Sequence, residues 1–241
     1  MRPVRKGLSP VNGNFDKYED AKPDLVSRLG LYCSYCERPI KTLLAVEHIE
    51  PKDPNTALEK VWSNFLLACV NCNSCKGSTP VNVQNILLPD RDNTFLAYDY
   101  SYDGKVSPSS VLNGQQSTSA QNTLKLVGLD KPIQAYRDSN DQLVALDRPS
   151  QRMEAIGIAQ ESLSLYQSLP QPQMIESIVK TALSTGYFSI WMKVFDQVPA
   201  AKLRFIESFK GTGGSGCFDL NNGTTITPAP NPDGWTAGSK V

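Results

Sequence analysis

The stretch CSYCERPIKTLLAVEHIEPKDPNTALEKVWSNFLLACVNCNSCKG, residues 33–77, holds five of the six cysteines and the one histidine of this 241-residue chain. Cys33-Ser-Tyr-Cys36 and Cys69-Val-Asn-Cys72 each space two thiols by two residues. That gap lets both thiolates of a tight turn reach one Zn2+ at about 2.3 Å, and two such units complete a closed tetrahedral site. The site is structural, because four thiolates leave no open position for water; closing the loop between the pairs is worth on the order of 10 kcal/mol. Cys72 and Cys75 share the same spacing. Helical placement after Cys72 turns Cys75 away and favours Cys69 and Cys72 as the second pair. Cys75 and the isolated Cys217 then read as small buried residues.

Between the pairs, residues 42–49 (TLLAVEHI) and 65–69 (FLLAC) are apolar and β-capable, joined by a polar connection containing Pro51 and Pro54. A short helix follows from about residue 73, limited by Pro80. His48 directly follows Glu47 at the end of the first run. Successive strand residues point to opposite sides, so the two share a site only if the strand end bends or one contributes its backbone. A lone His is ordinarily structural, and Asn64 and Asn73 taken singly suit turns and caps.

Further out, composition narrows the class. Apolar residues make 40% of the chain and charged residues 20%, which excludes disorder throughout. No apolar run approaches the ~20 residues of a membrane span, and the start, MRPVRKGLSP, lacks the apolar stretch of a secretion signal. A soluble, cytoplasmic protein is expected, and reduced thiols there favour metal over disulfides. Lys plus Arg number 24 and Asp plus Glu 24, so bulk charge cannot draw in a polyanion. Residues 1–80 carry 11 basic and 9 acidic side chains. Nucleic-acid handling would require local basic geometry or a partner that supplies the grip.

The expected fold class is α+β: an N-terminal metal-stapled ββα module in residues 1–106, a Ser/Gly/Gln-rich linker at 107–118, a mainly helical region at 119–220 and a flexible tail at 221–241. Helices are predicted at 24–29 (ended by Gly30), 119–127, 150–169 and 174–184. Met153, Ile156, Leu163 and Tyr166 offer one face of the third, while Ile175, Ile178, Val179 and Ala182 give the fourth its 3, 4, 7 spacing. Residues 187–198 are apolar enough for a buried helix or a strand; Leu203, Ile206 and Phe209 suit a last helix. The tail, rich in Pro and Gly, is expected to bury little.

The ordered set C-x-x-C, Val46-Glu47-His48-Ile49-Glu50-Pro51, Trp62-Ser63-Asn64 and Cys69 through Gly77 (C-x-x-C-N-x-x-K-G) resembles the HNH (ββα-metal) nuclease family. The resemblance implies that His48 is the general base removing a proton from the attacking water, a task its near-neutral pKa suits. It implies that Glu47 and Asn73 hold one Mg2+ or Mn2+ through oxygen, stabilising charge on the phosphorane and the departing 3′ oxygen. Asn64 would fix the backbone bearing His48, and Lys76 would either touch a phosphate or be a solvated helix lysine. The third family letter is Asn73, which makes this an H-N-N variant.

A wider pattern adds M-R-x-V-x-K at the start, Gly186-Tyr187-Phe188-Ser189-Ile190-Trp191-Met192, and Phe209-Lys210-Gly211-Thr212 ahead of Cys217-Phe218-Asp219. It is similar to the HNH subunits of Septu-type anti-phage systems, including those attached to retrons. That likeness implies an ABC/SMC-like ATPase partner and, in a retron, a reverse transcriptase with its RNA-DNA hybrid. The expected activity is hydrolysis of DNA. An RNA target such as tRNA, and a zinc-stapled binding module without turnover, are the alternatives.

Overall fold

In the computed structural model, which describes residues 1–132, 136–137, 139–145 and 147–241, the two apolar runs pair as an antiparallel hairpin. Strand β1 (Ala45–His48) lies along β2 (Phe65–Ala68), with Ala45 opposite Ala68 and His48 opposite Phe65. Every side chain of β2 is buried, because helix α1 (Lys22–Leu29) packs against it and the following helix α2 (Val70–Lys76) packs against β1. A strand covered on both faces reads as a continuous apolar run, which explains FLLA. Helix α2 begins three residues before the predicted start, with Cys69 as its N-cap residue, and ends at Gly77 ahead of Pro80.

A short helix α3 (Thr94–Ala97) leads into the hairpin β3 (Tyr98–Tyr100) and β4 (Val106–Pro108). Helix α4 (Gly114–Val127) follows, then the small pair β5 (Tyr136–Arg137) and β6 (Leu143–Ala145). The chain finishes with α5 (Arg148–Ser168), α6 (Pro172–Thr185), α7 (Phe188–Val194) and α8 (Pro199–Ser208). Among the described residues no helix is long and apolar enough to cross a membrane.

Three expectations need correction. Residues 107–118 hold the end of β4, a turn and the start of α4, so they are no free linker. Asn113 Oδ1 accepts from the Gln116 backbone N–H while Gln116 Oε1 accepts from that of Asn113, a capping box that starts the helix five residues before the predicted position. In α5 the buried stripe runs through Arg152, Ala155, Ile156 and Ala159, and Met153 is exposed. The ambiguous segment is a helix, α7, whose Phe188, Ile190, Trp191 and Met192 are all buried.

The tail is the third correction. Lys240 N–H donates to Asp92 Oδ1 at 2.9 Å, Ser239 N–H to the Arg91 carbonyl at 2.8 Å, and Ala229 N–H to the Val241 carbonyl at 2.7 Å, with Ala229 and Val241 buried. Backbone hydrogen bonding, invisible to composition, straps the tail across residues 91–93. Asp92 also accepts from Leu88 N–H at 2.8 Å. Asp92→Ala therefore strands two backbone donors, at about 1–3 kcal/mol each. A thermal midpoint lowered by roughly 5–15 °C is expected, at about 2–4 °C per kcal/mol for a chain of this size; an unchanged midpoint would show the strap to be dispensable.

Buried residues of both halves form one cluster. At its centre the N-terminal knuckle meets α7: Ser189 donates its N–H to Glu37 Oε2 at 2.8 Å and its hydroxyl to Oε1 at 2.6 Å, and Tyr187 N–H reaches the Glu37 carbonyl at 3.0 Å. The approach requires glycine at 186, where φ is +76° and a Cβ would lie 2.7 Å from that carbonyl oxygen. The Gly-Tyr-Phe-Ser segment thus fastens the helical half to the residue following Cys36.

Candidate active site and metal centre

The knuckle turn at Cys33–Cys36 is held by the Glu37 N–H on the Cys33 carbonyl (3.0 Å) and hung on β2 by the Ser34 N–H on the Leu67 carbonyl (2.8 Å). Cys69 caps α2 and Cys72 sits in its first turn. The four Sγ atoms lie within 4.8 Å of one another, all buried, with Cys36 and Cys69 3.7 Å apart. A tetrahedral zinc with bonds of about 2.3 Å needs sulfur-sulfur edges of about 3.8 Å. The donor set therefore fits zinc, and a 3.7 Å separation excludes a disulfide. Burial pushes the Cys36 thiol well up, while the neighbouring Cys33, Cys36 and Cys72 pull Cys69 down.

Cys75 lies outside this cluster and is half-exposed, where a buried thiol was expected; its Sγ accepts from Lys131 Nζ at 3.3 Å. Cys217 is buried. Arg148 reaches the cluster, its Nη1 standing 3.6 Å from Cys72 Sγ and donating to the Val127 carbonyl at 2.8 Å. A zinc tetrathiolate carries net charge of about −2, and this guanidinium offsets part of it. Arg148→Ala should raise the zinc off-rate to a chromophoric chelator roughly tenfold, as loss of an outer-shell partner does. An unchanged off-rate would remove Arg148 from the site.

On the other flank of α2 a cavity of about 220 Å3 is lined by Glu47, His48, Asn73, Lys76, Tyr18 and Lys52, among others. The strand ends at His48 and the chain turns, which brings Glu47 and His48 to one cavity despite strand alternation. His48 Nε2 lies 2.9 Å from the Glu59 carbonyl oxygen. A carbonyl only accepts, so Nε2 carries the proton and Nδ1 keeps its lone pair. Burial, with the nearby Lys52 and Lys76 charges, holds the ring's pKa below the ordinary histidine value, against an opposing pull from the Glu59 carbonyl. The imidazole is neutral at pH 7.

Asn64 sits behind the cavity. Its Oδ1 accepts from Glu50 N–H at 2.8 Å, its Nδ2 donates to the carbonyls of Glu50 (2.9 Å) and Leu58 (3.2 Å), and its own carbonyl accepts from Ile49 N–H at 2.8 Å. The side chain thus stitches the connection that presents the Glu59 carbonyl to His48. Lys76 is neither solvated nor free for phosphate. It is buried, donates to the His48 carbonyl at 2.6 Å and lies 3.0 Å from Glu47 Oε1, tying α2 to β1.

Glu47 is the electrostatic anomaly. Burial pushes its carboxyl up to about 7, against the pull of Lys76. The 3.0 Å approach of Lys76 is off hydrogen-bond alignment, so Oε1 has a charge neighbour and no hydrogen bond. A buried carboxylate short of hydrogen bonds, on a residue that lines the cavity together with Asn73, fits a hard cation with oxygen ligands.

Sequence reading missed Tyr18 and Lys52. Tyr18 comes from a 3-10 turn (Tyr18–Ala21) far upstream of the cysteine pairs, and its ring centroid stands 4.9 Å from that of His48. No local signal marks it.

Comparison with known proteins gives two findings. Residues 33–79 match the HNH endonuclease family, so the segment that carries the cavity and the thiols is an HNH endonuclease domain. A stretch of 111 residues is 27% identical to the protein named "Retron Vc95 putative HNH endonuclease" from Vibrio cholerae serotype O1 biovar El Tor. That alignment covers 43% of this chain and 54% of the relative, so the chain spans about half the length of the curated relative it matches.

Proposed function

We propose that the chain is a metal-dependent endonuclease that hydrolyses phosphodiester bonds of DNA, with the domain at residues 33–79 as its catalytic unit. One observation carries the reading: a neutral imidazole with Nε2 pinned to a backbone carbonyl and Nδ1 free, in the cavity lined by Glu47 and Asn73. Nδ1 of His48 takes the proton of the attacking water, and the Glu59 carbonyl steadies the imidazolium that results. Asn64 holds the connection so that this carbonyl stays in place. Lys76 keeps β1 and α2 in register, and the Glu47 carboxylate beside it is the oxygen ligand offered to the cation. Mg2+ or Mn2+ bound by Glu47 and Asn73 would supply charge stabilisation at the phosphate. The water oxygen bonds to phosphorus as the P–O3′ bond breaks, and the departing 3′ oxygen takes a proton from solvent, giving 5′-phosphate and 3′-hydroxyl ends.

The biological setting comes from likeness. The Septu-type motifs and the retron-associated relative support a role in anti-phage defence in the cytoplasm, with an ABC/SMC-like ATPase as controlling partner. In a retron, the reverse transcriptase and its RNA-DNA hybrid would join them. A formal net charge of zero suits a nuclease that relies on a partner for grip.

The test incubates the full chain, alone and with the ATPase, with end-labelled duplex DNA, single-stranded DNA and tRNA in Mg2+, Mn2+ or EDTA, and sequences the ends. Metal-dependent cuts in DNA are expected. Cuts confined to RNA would reassign the substrate, and no cutting of any polymer beside the partner would leave a zinc-stapled binding module.

Metal affinity should also depend on pH. With its carboxyl at about 7, Glu47 is protonated below neutrality and must shed that proton to ligate. Apparent Mn2+ affinity, read by calorimetry, should fall by up to about tenfold per pH unit below about 7 and level off above it. Equal affinity at pH 6 and 8 would remove Glu47 from the ligand set.

A further inference from the structure

We propose that Tyr18 is a positioning residue for two side chains: it holds the His48 ring in its working orientation and holds the Lys52 ammonium at the cavity rim to meet a phosphate of the incoming strand. The inference rests on the reading of His48 as general base and adds an element from outside the HNH segment.

His48 has three neighbours that restrain it. The Glu59 carbonyl fixes one ring nitrogen at 2.9 Å, which still permits the ring to swing about that bond. Phe65 stands on one part of the ring at 5.3 Å between centroids and 90° between planes, and Tyr18 on another at 4.9 Å and 67°. Both are edge contacts of the kind aromatic rings prefer. Phe65 is wholly buried in β2, so it is a fixed wall. Tyr18 is half-buried and lines the cavity, so it is the wall whose removal opens the ring to solvent and to rotation.

Tyr18 also carries Lys52. The Lys52 Nζ lies 4.8 Å from the Tyr18 ring centroid, inside cation-π range. Its carboxylate neighbour, Glu59 Oε1, is 3.9 Å away, too far for a hydrogen bond. Lys52 is 41% exposed and lines the same cavity as His48. Lys76, the other cavity lysine, is consumed by Glu47 and the His48 carbonyl. Lys52 is therefore the cavity cation left for substrate phosphate.

The test compares Tyr18→Ala, Tyr18→Phe, Lys52→Gln and His48→Ala in steady-state cleavage, with a salt titration of binding. Tyr18→Ala should lower kcat roughly 10- to 100-fold, the scale of a misplaced catalytic group, and raise KM as well. Tyr18→Phe, which keeps the ring and drops the hydroxyl, should restore most of that kcat. Lys52→Gln should act through KM, by about 3- to 10-fold, and reduce the slope of log affinity against log salt by about one phosphate contact. Tyr18→Ala within twofold of the parent in both constants, or Tyr18→Phe as damaging as Tyr18→Ala, would overturn the proposal. So would a Lys52→Gln effect confined to kcat. Activity surviving in His48→Ala would instead overturn the reading of the base, whatever the other variants show.

Discussion

On the proposed mechanism His48→Ala should lower cleavage by about 10²- to 10⁴-fold, the range a positioned general base supplies, while zinc content and the thermal midpoint should stay at parent values. The two halves of this expectation have separate causes. Activity should be lost because His48 is the one histidine in the chain and lines the cavity with Glu47 and Asn73. Stability should be kept because the side chain is only half-buried and makes a single hydrogen bond, to the Glu59 carbonyl. Zinc is kept because none of the four thiols contacts the ring. Metal assays on the variant give about one zinc per chain, and a variant with full activity in Mg2+ or Mn2+ would end the case for His48.

The pH profile of the parent follows with its sign. The base works neutral, and burial depresses its pKa, so the acid limb set by His48 lies below the ordinary histidine value. Glu47 acts in the other direction: its raised pKa makes cation binding the step that weakens first as pH drops. At saturating Mn2+ the activity should therefore extend further into acid than at limiting Mn2+. Identical profiles at the two metal levels would contradict that order.

What was legible in the sequence was chemistry bound to local spacing. Cys33, Cys36, Cys69 and Cys72 converge because two turns and one helix start are each determined by three or four residues, and such geometry is written in the chain order. The same holds for Asn113, whose capping partner Gln116 lies three residues on, although the Ser/Gly/Gln composition of 107–118 obscured it. Long-range contacts left no such mark. Tyr18 reaches His48 across thirty residues of sequence through the packing of α1 on β2, and nothing in the YEDA segment signals an aromatic wall. Lys76 looks like any helix lysine until β1 is placed beside it. The tail has the composition of a mobile segment and is held by backbone donors and acceptors, which every residue type possesses alike.

Cys69→Ala should unfold the module that His48→Ala leaves standing. Structural zinc contributes on the order of 10 kcal/mol in small thiolate sites, as much as the whole stability of a typical domain, about 5–15 kcal/mol. Beyond the Lys76 tie to β1, the hairpin and α2 have little of their own to hold them: β1 and β2 are four residues each, α2 is seven, and four sulfurs at its base lie within 4.8 Å of one another. Remove one ligand, and three buried thiols lose the cation that would keep them ionised, while the start of α2, which carries Asn73 and Lys76, loses its metal tie to the first knuckle. Zinc stoichiometry should fall below one, the midpoint should drop by more than for Asp92→Ala, and added Mg2+ should restore nothing. Cys75→Ala is the matched control. Its Sγ points to Lys131 outside the cluster, so zinc content and cleavage should stay near parent values. Loss of zinc in Cys75→Ala with retention in Cys69→Ala would exchange the two cysteines in the ligand set and move α2, with Asn73, relative to His48.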